Sequence, residues 1–325
     1  MVKALITGGA GFIGSHLAEA LLERNDEVAV VDDLSTGSLD NIAHLTANPR
    51  FQFAITGITN ELVMDRLINQ CDVIFHLAAA VGVELIVRDP VRVIESNIKG
   101  CETVLRIAAR YRKKVLLAST SEVYGKSERV PFREDSDSVL GPTSISRWSY
   151  ACSKAMDEFL ALAYYKQFDL PVVLMRFFNT VGPRQTGRYG MVVPRFVRRA
   201  LAGEPLEVYG DGQQSRCFTD VSDVTRAVIA LAETPAAIGE AFNIGSTQEV
   251  SIEQLARLTV AMCQSSSEIR YIPYDEAYEP GFEDLRRRVP DTSKIRRTIA
   301  WQPEHDLAAI LERVITYYRS LAASG

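Results

Sequence analysis

A run of glycines, Gly8-Gly9-Ala10-Gly11-Phe12-Ile13-Gly14, stands directly between an apolar stretch, Val2–Thr7, and an amphipathic one, Phe12–Arg24. In the second stretch Phe12, Ile13, Leu17, Ala20 and Leu21 recur at helical spacing, so the order is strand, glycine turn, helix. Glycines here allow a tight turn, close approach of the backbone to a pyrophosphate, and close packing of helix on strand. The start of the helix behind them offers unpaired N–H groups and the positive end of its dipole to a phosphate. Asp32 ends the next strand, Glu27–Val31, 18 residues after Gly14, where a carboxylate accepts hydrogen bonds from an adenosine ribose. No Arg lies between Asp32 and Asn41 to meet a 2′-phosphate, so these residues favour NAD over NADP.

The alternation continues down the chain. Cys71–Leu77, Lys114–Ser119 and Pro171–Arg176 are apolar strands, each after a helical stretch: Glu61–Gln70, Val91–Tyr111 and Tyr150–Phe168. Such βαβ units imply a parallel sheet buried on both faces, a doubly wound Rossmann-type α/β fold. After about Asn179 glycine- and proline-bearing loops (Val181–Gly190, Tyr209–Gln213, Pro273–Gly281) separate the helices Pro194–Ala202, Asp223–Glu233 and Ile252–Cys263. The expected division is a dinucleotide-binding domain over 1–178 and a smaller C-terminal region over 179–325. Part of the latter, about 214–245, returns to the first domain, with Ala241–Gly245 as a further strand.

Net charge is −5 over 325 residues with no basic block, which gives no electrostatic case for nucleic acid or an anionic membrane. No stretch approaches the roughly 18 consecutive apolar residues of a membrane span. The glycine-broken start does not read as a signal peptide. Five scattered cysteines without ligand pairing read as reduced thiols, and no metal site is expected. A cytoplasmic protein is the expectation.

Tyr150-Ala151-Cys152-Ser153-Lys154 places a phenol and an ammonium one helical turn apart on one face. The ammonium favours phenolate and is expected to make Tyr150 a base near neutral pH; Lys154 can also hold a nicotinamide ribose. Ser119-Thr120-Ser121-Glu122-Val123-Tyr124-Gly125 ends a strand at the carboxyl edge of the sheet, where a hydroxyl can share a substrate proton with Tyr150.

With these residues the chain resembles, over its whole length, the extended short-chain dehydrogenase/reductases that act on nucleotide sugars. The marks are Gly8–Gly14, Asp32, His76-Leu77-Ala78-Ala79, Asn97, Ser119–Gly125, Tyr150 and Lys154, Phe177-Phe178-Asn179, Arg216 and Asp223. The resemblance implies NAD taking hydride from sugar C4, with Tyr150 as base, Thr120 as its hydroxyl partner and Lys154 as orienter. It implies that Gly8, Gly11, Phe12, Ile13, Gly14, Asp32, Leu34, Ser35, Thr36 and Gly37 hold the cofactor, with Leu77, Ala78, Ala79, Asn97 and Ser119 lining it. Asn179, Val192, Val193, Tyr209 and Arg216 would hold the UDP part of a UDP-sugar. A homodimer through the helices around Asn97–Tyr111 and Tyr150–Phe168 is implied as well. At Ile58 relatives usually carry an Asp that touches adenine; this chain departs there.

Every member of that family forms a 4-keto sugar, and the next step differs. The dehydratases carry Asp-Glu after the catalytic Thr; here the pair is Ser121-Glu122, which disfavours elimination. The family's decarboxylases resemble this chain at Thr120-Ser121-Glu122, at Arg147-Trp148-Ser149-Tyr150, at Arg216–Asp220 and at Arg288, 13 residues before Trp301. That branch makes Ser121, Glu122 and Arg288 catalytic, with Arg288 also binding substrate. Some decarboxylases have Arg where Met191 stands. Val31–Gly37 and Phe177–Arg184 look like the 4-epimerases, and Arg188, 38 residues beyond Tyr150, can pair bidentately with a sugar carboxylate. Epimerisation needs only the Thr-Tyr-Lys set and room for the sugar to turn. A 4-epimerase of a UDP-hexose or UDP-hexuronate is the sequence expectation, by a narrow margin. A UDP-glucuronate decarboxylase is the alternative, and a non-catalytic NAD-binding regulator the reading from another class.

Overall fold

The computed structural model describes residues 1–82, 89–187, 191–277 and 285–324. Its first half is a run of βα units: β1 (Lys3–Thr7), α1 (Phe12–Glu23), β2 (Glu27–Asp32), β3 (Phe51–Ile55), α2 (Glu61–Gln70), β4 (Val73–His76), α3 (Pro90–Tyr111), β5 (Lys114–Thr120), α4 (Arg147–Phe168) and β6 (Val172–Phe177). The second half runs β7 (Thr180–Val181), α5 (Val192–Ala202), β8 (Leu206–Tyr209), β9 (Ser215–Cys217), β10 (Thr219–Asp220), α6 (Val221–Glu233), β11 (Ala241–Ile244), β12 (Glu249–Ser251), α7 (Ile252–Cys263), β13 (Ile269–Ile272), α8 (Ser293–Ile299) and α9 (Leu307–Ser324). Seven strands form one parallel sheet in the order β3-β2-β1-β4-β5-β6-β11. This is the doubly wound Rossmann-type fold. Strand order reverses between β1 and β4, and at such a point the carboxyl ends of the strands face an open crevice.

The strands lack polar alternation because both faces are covered. Ala4, Ile6, Val28, Leu116 and Val173 pack with Leu17 and Leu21 of α1 and Val224 and Val228 of α6. Their neighbours Leu5, Val31, Ile74, Val115, Leu117 and Leu174 pack on the opposite face, with Met64 and Ile68 of α2, Val104 and Leu105 of α3 and Ala161 of α4. A third core joins α5, α7 and α9 through Phe196, Val197, Leu255, Ile310, Leu311 and Val314. Each such side chain is worth roughly 2 kcal/mol on burial, so α9 is held by packing more than by its own helix propensity. β3 has no apolar run: Gln52, Phe53 and Ile55 of this edge strand face solvent, and only Phe51 is buried.

The segment after residue 284 returns to the sheet as a strap. The Phe132 N–H donates to Val289 O (2.8 Å) and the Asp291 N–H donates to Phe132 O (2.8 Å). Buried Asn243 of β11 fastens the strap: its Nδ2 donates to Phe132 O (2.9 Å) and Asp291 O (3.2 Å), and its Oδ1 accepts from the Tyr124 hydroxyl (2.6 Å). Losing these bonds strands buried polar groups, at about 1–3 kcal/mol each. Asn243→Ala is therefore expected to lower stability by about 2 kcal/mol or more in urea unfolding; a change below about 0.5 kcal/mol, the scale of ordinary surface substitutions, would contradict the fastening role.

Candidate active site

The crevice between β1 and β4 begins at the glycine turn. Gly8 has φ +71°, and a Cβ there would lie 2.8 Å from the Ala78 backbone. At Gly14, in the first turn of α1, a Cβ would lie 2.3 Å from Gly8 O. Turn, helix and the start of the segment after β4 thus touch backbone to backbone. Helix α1 carries no side-chain cap and no acidic residue in its first turn, which leaves its first N–H groups to an incoming anion. The Thr7 hydroxyl joins the two central strands: it accepts from the Ala78 N–H (3.2 Å) and shares a 2.7 Å hydrogen bond with His76 Nδ1. Burial lowers the pKa of His76 to about 3, so the imidazole is a neutral structural partner.

Asp32 closes the cradle from β2. Its two oxygens accept the N–H groups of Leu34 (2.8 Å) and Ala10 (3.0 Å), which fixes the carboxylate at the crevice and keeps lone pairs for ribose hydroxyls. Gly37 sits against Ala10 and Asp32 without room for a Cβ, and the turn through Ser35 and Thr36 wraps Ala10, whose carbonyl accepts from the Ser38 N–H (3.1 Å). Leu77 backs the turn from the core, and its N–H donates to Thr7 O (3.1 Å). Asn97 is buried behind the loop: its Oδ1 accepts the Ala80 N–H at 2.8 Å, so it braces the segment that includes Ala79. Ile58 fills the space over Gly100 of α3, an apolar contact where relatives are expected to carry Asp. The cradle suits an adenosine diphosphate without a 2′-phosphate.

Helix α4 turns Tyr150, Ser153, Lys154, Asp157 and Glu158 inward, all buried. Thr120, the last residue of β5, caps the single turn Ser121–Tyr124: its hydroxyl accepts the Glu122 N–H (3.2 Å) and is hydrogen-bonded to Tyr150. Lys154 Nζ donates to Asp157 Oδ2 at 2.8 Å. The sequence expectation of a lowered Tyr150 pKa is corrected here. Burial pushes the phenol up to about 12, which outweighs the pull of Lys154, and the Glu122 and Asp157 charges add to the rise. The Ser119 hydroxyl donates to Glu158, inside a buried network with Arg176.

Beyond Tyr150 the cleft is strongly charged. Arg288, 7% exposed, donates to Glu122 Oε1 at 2.7 Å, and Arg147 approaches Oε2 at 3.7 Å. Burial works to raise the Glu122 pKa, but the Arg288 and Arg147 charges prevail and hold it at about 2. The run Arg286–Arg288 divides: Arg286 and Arg287 are exposed and pair with Asp211 and Glu249, and only Arg288 lines the cleft. Ser121 lines it as well.

The far wall holds Asn179, Val192, Val193, Tyr209 and Arg216. Asn179 Nδ2 donates to Cys217 O (3.0 Å), and Arg216 Nη1 donates to Leu285 O (2.8 Å). Arg188 lies outside the described residues. The wall also contains Arg147, Gln185, Arg195 and Gln214, which the sequence reading did not assign. Arg195 stacks over the Tyr209 ring at 4.3 Å. The Oε1 atoms of Gln185 and Gln214 are buried with no hydrogen-bond partner among the described residues. Arg147 was within reach of the sequence, because it precedes Tyr150 by one turn on the same helix face.

The depressed Glu122 pKa links the charge cluster to stability. A carboxyl that ionises more readily folded than unfolded stabilises fully above the ordinary Glu range, and this is lost as pH falls towards the folded value of about 2. The gap in urea midpoint between the wild type and Glu122→Gln is expected to be greatest near neutrality and to shrink steadily below about pH 4. A pH-independent gap would contradict the charge pairing.

Comparison with known proteins agrees with this geometry. The GDP-mannose 4,6 dehydratase family model matches residues 5–314. The UDP-N-acetyl-alpha-D-glucosaminuronate decarboxylase of Bacillus cytotoxicus is 43% identical over 320 residues, 98% of each chain. UDP-glucuronic acid decarboxylase 1 of Xenopus tropicalis is 37% identical over 317 residues, 98% of this chain and 72% of that one. Among solved structures, the UDP-glucuronic acid 4-epimerase of Bacillus cereus, in complex with UDP-glucuronic acid and NAD, superposes with a TM-score of 0.88 at 31% identity, covering 98% of this chain and 99% of that one. The chain belongs to the GDP-mannose 4,6-dehydratase-type family, among the NAD-dependent nucleotide-sugar epimerases and decarboxylases of the short-chain dehydrogenase/reductase type.

Proposed function

We propose that the protein is an NAD-dependent decarboxylase of a UDP-hexuronate, a UDP-glucuronate or its 2-acetamido counterpart. The observation that carries this reading is the buried Glu122–Arg288 pair in the cleft beside Thr120 and Tyr150. The names of the relatives at 43% and 37% identity support the same choice over the epimerase that the sequence alone favoured.

NAD held by the Gly8–Gly14 turn and Asp32 would supply the reversible hydride chemistry at sugar C4. Tyr150, through its contact with Thr120, takes the proton of the 4-hydroxyl, which leaves a ketone at C4. The C6 carboxylate is then β to that ketone. The C5–C6 bond breaks, CO2 leaves, and the electron pair passes into an enolate on the C4 oxygen. C5 takes a proton from water, and Tyr150 gives its proton back to the C4 oxygen as the ketone is reduced, which leaves a UDP-pentose. Arg288 is placed to pair with the incoming carboxylate, and the Glu122 charge beside it favours departure as neutral CO2 by like-charge repulsion. Arg195, Tyr209 and Arg216 would hold the diphosphate and uridine end.

A second reading keeps the cleft and changes the ending: a UDP-glucuronate 4-epimerase, supported by the TM-score of 0.88 and 31% identity to the Bacillus cereus enzyme. Arg288→Ala and Glu122→Gln separate the two. Decarboxylation predicts that CO2 release from UDP-glucuronate falls at least about a hundredfold in both, while NADH absorbance at 340 nm still rises on adding substrate. CO2 release unchanged in both variants, or none from the wild type, would overturn the decarboxylase reading.

The subunits are proposed to pair through α3 and α4. Val91 and Ile94 on α3 and Met156, Phe159 and Phe168 on α4 are exposed apolar residues, Phe159 to 71%. Such a face on helices already packed on a sheet fits an intersubunit bundle. Phe159→Lys is expected to convert a dimer to a monomer in light scattering after gel filtration; a monomeric wild type would contradict it.

A further inference from the structure

Lys154 is buried, and its ammonium has a buried carboxylate partner that the proposed reaction does not use. Asp157 is 1% exposed, Lys154 3% and Cys101 of α3 is fully buried. Asp157 Oδ2 accepts from Lys154 Nζ at 2.8 Å, and the Asp157 carboxylate also accepts from the Cys101 thiol. Burial keeps that thiol protonated, and so a donor. An ammonium in this place would be costly alone, since desolvation opposes its charge. Burial does work to lower the Lys154 pKa, but Asp157 and Tyr150 reverse the direction and raise it.

We propose that Asp157 is a positioning residue for Lys154: it fixes one of the three ammonium N–H bonds and leaves the other two for the nicotinamide ribose. The inference rests on the reading of the protein as an NAD-dependent oxidase of sugar C4, and it holds whether the 4-keto sugar then loses CO2 or is reduced on its other face. The arrangement has a second effect. The charged or titratable groups around the Tyr150–Lys154 pair are Asp157 on α4, Glu122 from the turn after β5, Cys101 from α3 and His76 from β4. Asp157 is the member that touches the ammonium directly, so it cancels part of the positive charge that would favour Tyr150 phenolate. Asp157 thereby trades some basicity at Tyr150 for a fixed, charged Lys154.

The two effects separate in three variants. Asp157→Asn keeps the size and one acceptor oxygen but removes the charge. Asp157→Ala removes both. Asp157→Glu restores the charge one methylene further out. NAD affinity is read by calorimetry with no sugar present, and the pH midpoint of C4 oxidation by stopped-flow absorbance at 340 nm. Asp157→Ala is expected to weaken NAD at least about fivefold. Asp157→Asn is expected to bind NAD nearly as the wild type does, with the acid limb of oxidation moved to lower pH by about half a unit or more. Asp157→Glu is expected to return the midpoint towards that of the wild type while weakening NAD. NAD affinity within twofold in Asp157→Ala, or a midpoint unmoved in Asp157→Asn, would overturn the inference. A wild type that binds NAD and oxidises C4 without releasing CO2 would sink the decarboxylase reading alone; one that binds no NAD would sink both.

Discussion

Between β1 and β4 the helical connections leave in opposite directions, and no crossover can cover the strand ends there. That one constraint places everything else. The glycine turn, Asp32, Thr120 and the hydroxyl of Tyr150 come from separate parts of the chain, yet each reaches the same edge because a strand or a helix packed on the strands ends there. The 2.7 Å contact between Thr7 and His76 shows how closely the two central strands are held at the reversal. A glycine turn can lie directly on the neighbouring segment only because Gly8 and Gly14 bring no side chain to the contact.

The cleft beyond that edge is a problem in charge balance. Three guanidinium groups, Arg147, Arg216 and Arg288, gather around Glu122, and Lys154 faces Asp157 a few residues further along α4. Buried charges persist only when paired, because losing one partner leaves an unpaired charge that costs several kcal/mol. The proposed UDP-hexuronate would add a further carboxylate and a diphosphate, both negative, to a wall rich in arginine. The protein alone keeps Tyr150 protonated, since burial outweighs the single ammonium. A positively charged nicotinamide bound beside Tyr150 would add to the pull of Lys154 towards phenolate.

Much of this was legible in the sequence. Strand runs such as Lys114–Ser119 and helices such as Glu61–Gln70 follow from apolar periodicity, and the Tyr150/Lys154 spacing puts both on one face of a helix. What was missed has physical reasons. β3 is an edge strand with a single buried residue, so it carries no apolar run. The raised Tyr150 pKa depends on total burial, which spacing alone cannot report. Ser119 and Thr120 are adjacent in sequence, but strand alternation sends one hydroxyl to Glu158 and the other to Tyr150. Arg286 to Arg288 look alike in sequence; the strap bonded to Phe132 determines that only the last enters the cleft.

The central claim is that the ketone at C4 is followed by loss of the C6 carboxylate at a site built around Glu122 and Arg288. The most direct test is to run the wild type with NAD and UDP-glucuronate in D2O and read the product by proton NMR. Decarboxylation replaces CO2 with a solvent proton, so the expected product is a UDP-pentose carrying one deuterium at C5. A UDP-hexuronate inverted at C4, with its carboxylate retained and no deuterium on carbon, would contradict the claim and return the protein to the epimerases.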